Sequence, residues 1–71
     1  MITPKELGAF IAKRRRELGL KQKELAQIIH VSDKTISRWE RGRGYPDLQS
    51  MEILADTLDV TLSQMFEGGL K

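Results

Sequence analysis

Lys34, Ser37, Arg38 and Arg41 recur at helical spacing behind Ser32. At about 100° per residue, a helix over 33–41 places these side chains together and turns Ile36 and Trp39 to the other side. Ser32 is a good N-cap for it, because its hydroxyl accepts from amides of the first turn. A row of cations and hydroxyls suits phosphates and the base edges of a DNA major groove. Lys34, Ser37 and Arg38 are the candidates for base edges, with Asp33 and Thr35 at the margins. Arg38 has the fork to bind guanine O6 and N7 together. Asp33 can accept from cytosine N4, and Lys34 suits either a base or a phosphate. Catalysis has little to work with. There is no cysteine and one histidine, His30, with no second ligand to share a metal. No nucleophile–base pair or carboxylate dyad stands out, so the expectation is no enzyme, no metal and no cofactor.

Such a helix must be held against something. Residues 22–29 form a second short amphipathic helix, with Leu25, Ala26 and Ile29 on one side, and His30-Val31-Ser32 break it from the helix at 33. Two short helices joined by a three-residue turn make a helix-turn-helix unit. The run Gln22, Leu25, Ala26, Val31, Ser32, Ile36, Glu40 and Gly42 resembles the helix-turn-helix domains of the phage repressor and Cro type, and the likeness extends from about Leu7 to Phe66. Relatives usually place Gly where this chain has His30. Histidine tolerates the left-handed conformation at a cost of about 1 kcal/mol.

The resemblance implies an all-α, compact five-helix domain that binds double-stranded DNA as a transcriptional regulator, most simply a repressor. It implies that Gln22 contacts a phosphate at its helix N-terminus, where free amides and the helix dipole already favour an anion. Lys23 adds charge beside it. It also implies a phosphate grip by the loop after Glu40, with Arg41 and Arg43 assisting. In Lys13-Arg14-Arg15-Arg16, periodicity turns Arg14 or Arg15 inward, and the resemblance selects Arg15 as the structural ion-pair partner of Glu40. Arg14 is then left to approach the phosphates. Proteins resembling this family also serve as antitoxins and adaptors, so a protein-interaction module using the last two helices is the alternative.

The remaining elements are legible from caps and stripes. Thr3-Pro4-Lys5-Glu6 opens a first helix with a capping box and proline at the first position. It runs to about Leu18, carrying Leu7, Ile11 and Leu18 with Phe10 alongside, and Gly19 stops it. Gly8 and Ala9 admit close approach by another helix. Lys21 is a poor cap for the helix at 22, with Glu24 placed to compensate. Trp39 reads as a core lid rather than a stacking platform for bases, and Ile28 as partly exposed. Asp47 caps a fourth helix, Asp59 ends it in a left-handed residue, and Thr61-Leu62-Ser63-Gln64 opens a short fifth with another capping box.

Seventy-one residues form one small domain, assigned to 1–67, with 68–71 as a frayed end or a cut linker to a missing sensory domain. Residues 1–43 hold eleven Lys/Arg against five Asp/Glu, a net +6, whereas 44–71 carry a net −4. A basic front and acidic rear suit a protein that meets a polyanion with one side. No apolar run has the length of a membrane span, which fits a cytoplasmic protein without a membrane role. One such domain buries too little surface to be selective in a genome. A homodimer on a two-fold operator is therefore expected, with its interface around Leu62, Met65 and Phe66.

Overall fold

The computed structural model describes residues 2–67, which form five α-helices joined by short turns. They are α1 (Pro4–Glu17), α2 (Gln22–Ile29), α3 (Asp33–Glu40), α4 (Leu48–Thr57) and α5 (Leu62–Phe66). Local chemistry sets most of their ends. Thr3 Oγ1 accepts from the Glu6 amide at 3.1 Å while Glu6 accepts from the Thr3 amide at 3.0 Å, closing the box at α1. Ser32 Oγ accepts from the Thr35 amide at 3.1 Å, and Thr61 and Gln64 repeat the reciprocal pattern at α5. Lys21 offers α2 no oxygen, but Glu24 reaches back to the Lys21 amide at 2.8 Å. Asp47 occupies the N-cap position of α4 without a side-chain hydrogen bond, so there it marks the boundary and does not cap. His30 (φ 63°) and Asp59 (φ 57°) both adopt the left-handed conformation that ends α2 and α4.

The core gathers Leu7, Ile11, Leu25, Ile36, Leu54, Leu58 and Met65, all fully enclosed, with Trp39 packed at the edge of α3. α3 lies against both α1 and α2, while α5 closes the far side against α1 and α4. Three expectations change. Leu18 is exposed, because α1 ends at Glu17 and its last inward position is taken by Arg15. Ala9 faces solvent, leaving the close approach to Gly8 alone. Met65 is interior and presents no surface to a second copy, whereas the neighbouring Phe66 is half exposed. None of the described helices is long and apolar enough to cross a membrane.

Gly8 sets how α1 rests on the end of α3. A Cβ there would stand 2.1 Å from the Trp39 carbonyl oxygen and 2.9 Å from that of Glu40. Backbone atoms cannot move aside as a flexible side chain would. Gly8→Ala is therefore expected to destabilise by about 3 kcal/mol and lower the melting temperature by more than about 10 °C. Thermal denaturation followed by circular dichroism checks this.

Candidate nucleic-acid interface

On the solvent side of α3, Asp33, Lys34 and Arg38 are exposed and Thr35 and Ser37 partly so. The helix is short, and its inner side is fully spent on Ile36 and Trp39. Lys34, Thr35, Arg38, Arg41 and Arg43 together line an open basin of about 320 Å³. Four cations thus share one depression with a single hydroxyl-bearing residue. The Thr35 hydroxyl is already engaged with Ser32 Oγ at 2.9 Å. Arg41 Nε donates to the Ser37 carbonyl at 3.3 Å, and the Arg43 amide donates to that of Arg38 at 3.0 Å, so the loop folds back on the end of α3. Gly42 makes that return possible: its φ is +75°, and a Cβ would meet Lys5 Cα at 2.7 Å.

Behind this surface lies the pair that positions it. Arg15 Nε donates to Glu40 Oε2 at 2.6 Å and Nη2 to Oε1 at 3.0 Å, a bidentate bridge. Arg15 Nη1 reaches the Leu20 carbonyl at 2.8 Å. Side-chain exposure is 11% for Arg15 and 6% for Glu40, so the charges meet largely out of water. The hydrogen bond to Glu40 raises the Arg15 pKa above its ordinary value; desolvation works against this, and the Glu40 charge adds to the rise. Both effects of Glu40 favour the charged guanidinium.

One side chain departs from expectation and another makes a further contact. Arg14 lies away from the basic basin: its Nε donates to the Leu58 carbonyl at 2.7 Å and Nη1 pairs with Glu17 at 3.3 Å. The carbonyl it meets is at the end of α4, and its availability depends on a turn that no feature of α1 announces. Gln22 Nε2 donates to Glu40 Oε1 at 2.9 Å, a contact the sequence pattern did not reveal. Both residues belong to the quoted motif, but nothing in their spacing, eighteen positions apart, links them. Trp39 is buried as a core residue and unavailable for base stacking; its indole Nε1 has no hydrogen-bond partner among the described residues.

This arrangement of five helices has known counterparts. Residues 11–65 match the model of the helix-turn-helix family. The chain belongs to that family. It is 32% identical over 63 residues to the HTH-type transcriptional activator BcrR of Enterococcus faecalis, covering 89% of this chain and 31% of that protein. The ImmF control region 10 kDa protein of Bacillus phage phi105 is 33% identical over 63 residues, 89% of this chain and 70% of that one. Among solved structures, the c2 repressor of phage P22 in complex with a synthetic operator superposes with a TM-score of 0.84 at 29% identity, over 87% of this chain and 94% of that chain. The likeness to phage repressors anticipated from Gln22, Val31, Ser32 and Glu40 holds, and with it the all-helical five-helix architecture. The chain spans about a third of BcrR's length.

Removing one member of the buried pair strands the other. Arg15→Met leaves the Glu40 carboxylate enclosed with only Gln22 for company, and is expected to cost about 3–5 kcal/mol. Urea denaturation measures it. A loss below about 1 kcal/mol would mean that the pair behaves as a surface bridge.

Proposed function

We propose that this chain is the DNA-binding unit of a transcriptional regulator, and that α3 enters the major groove. The observation that carries this reading is the basin of Lys34, Thr35, Arg38, Arg41 and Arg43 on the outer side of a helix whose inner side is locked by Arg15–Glu40. Lys34, Ser37 and Arg38 meet base edges, and Asp33 and Thr35 lie at the margins. With its hydroxyl held by Ser32, Thr35 has less to offer a base than Ser37. Gln22 and Lys23 at the start of α2, with Arg41 and Arg43 in the exit loop, hold phosphates and set the register. A regulator of this kind works on DNA in the cytoplasm, and no catalytic role is assigned to it.

A homodimer on a two-fold operator completes the reading. With Met65 interior, the contact surface shifts to Phe66 and the partly buried Leu62, continuous with a groove of about 240 Å³ lined by Ile2, Tyr45, Pro46, Leu48, Met51 and Phe66. The domain measures 27 × 22 × 20 Å. Half-sites of a two-fold operator lie about 34 Å apart, one turn of DNA, and a dimer formed there has to hold its two α3 helices at that separation.

Selection of sites from random duplex DNA, followed by affinity measurements across a salt series, tests the proposal. Arg38→Ala is expected to relax preference at one base pair and cost about 1–3 kcal/mol there. Arg43→Ala should weaken all duplexes alike and reduce the salt slope by about 1. A uniform loss for Arg38→Ala contradicts base reading. Affinity indifferent to salt would favour a protein partner instead.

A further inference from the structure

The Thr35 side chain has a polar end and an apolar end, and the polar one is engaged. The Thr35 amide donates to Ser32 Oγ at 3.1 Å, and the two hydroxyls are hydrogen-bonded to each other at 2.9 Å. This bond closes across the first turn of α3. It holds Thr35 in one rotamer, since a β-branched side chain in a helix has few to choose from. Thr35 is partly exposed and lines the basin with Lys34, Arg38, Arg41 and Arg43. With its oxygen turned back to Ser32, what it has left to present is the γ-methyl group. A fixed methyl thus stands among long cationic side chains.

We infer that the Thr35 methyl reads the C5-methyl of a pyrimidine in the major groove, beside the guanine read by Arg38. This rests on the DNA-binding proposal above and names a base feature within it. Thymine shows its C5-methyl next to the O4 acceptor on the major-groove edge, and a threonine methyl meets it by apolar contact. A free hydroxyl would be a poor neighbour for that methyl, but here the hydroxyl is held by Ser32. Thr35 and Arg38 are three positions apart on α3, so they are neighbours on the helix surface, about 5–6 Å apart at Cβ. Successive bases along a strand are about 3.4 Å apart, which places the two targets on adjacent base pairs. Cytosine lacks the methyl and 5-methylcytosine carries it, so the same contact accepts a methylated cytosine. The cations around Thr35 favour the thymine O4 acceptor over the cytosine N4 donor, and thymine therefore ranks first.

The test replaces each thymine of the selected duplex in turn by deoxyuridine, which removes the C5-methyl and keeps the pairing edge. Affinities are compared for the wild-type chain, for Thr35→Ser, which keeps the hydroxyl and loses the methyl, and for Thr35→Val, which does the reverse. Thermal melting establishes that each variant is folded. The wild-type chain is expected to lose about fourfold at one thymine, the size of one buried methyl group, at the position next to that relaxed by Arg38→Ala. Thr35→Ser should bind thymine and uracil there alike, and Thr35→Val should keep the preference. Cytosine and 5-methylcytosine, each paired with guanine at that position, give a second comparison. The methylated base should bind the wild-type chain about fourfold better and Thr35→Ser no better. Losses of equal size for the wild-type chain and Thr35→Ser, or no loss at any thymine, overturn the inference while leaving base reading by α3 intact. A wild-type chain that prefers no duplex overturns the DNA-binding proposal itself. Should Thr35→Ser fail to fold, a nuclear Overhauser contact between the Thr35 and thymine methyl protons in the wild-type complex decides, and its absence overturns the inference.

Discussion

A buried carboxylate accepts only one arrangement of its neighbours. Glu40 is enclosed at the end of α3, and three N–H donors from α1 and α2 converge on it. Two come from the fork of Arg15 on α1 and the third from Gln22 on α2, so satisfying the charge sets where three helices meet. Apolar packing among Leu7, Ile11, Leu25 and Ile36 tolerates small slides of one helix over another. A bidentate guanidinium bridge does not. The outer side of α3 inherits that definition, because a helix of eight residues pinned at its last carboxylate and capped by Ser32 has little freedom to roll.

Small size explains why so much depends on a few atoms. Around seventy residues bury a modest core, and such domains are marginally stable. This chain spends its margin on tight junctions. Gly8 lets α1 touch the carbonyls that end α3, and Gly42 lets the exit loop pass Lys5. His30 and Asp59 accept left-handed backbone where glycine would be easier. The buried Trp39 N–H carries a desolvation cost of about 1–3 kcal/mol. The division of labour along the chain follows: most apolar residues are used up inside, and the basic residues before Gly44, Arg14 and Arg15 apart, are left to face outward.

What the sequence revealed was mostly local. Thr3/Glu6, Ser32, Thr61/Gln64, His30 and Asp59 announce helix ends because a cap or a left-handed turn involves residues within a few positions. The Arg15–Glu40 pair follows instead from resemblance, since periodicity alone does not separate Arg15 from Arg14. Two misses are local, Asp47 bounding α4 without capping it and α1 ending early, and the others concern partners distant in the chain. Leu18 lies on the extrapolated stripe, but α1 stops one residue short of it. Arg14 finds a carbonyl 44 positions away, and Gln22 a carboxylate 18 away. Met65 and Phe66 are equally apolar, and only the closed core distinguishes the one inside from the one outside.

The central claim is that one side of this molecule, assembled from the start of α2, the outer side of α3 and the loop after it, meets duplex DNA. Backbone amide shifts of the isotopically labelled chain, followed as its selected duplex is added, test that most directly. The account predicts the largest changes over residues 22–24, 33–38 and 41–44, with α4 from Glu52 to Thr57 nearly silent. Changes concentrated on α4 and α5, with α3 undisturbed, would contradict it.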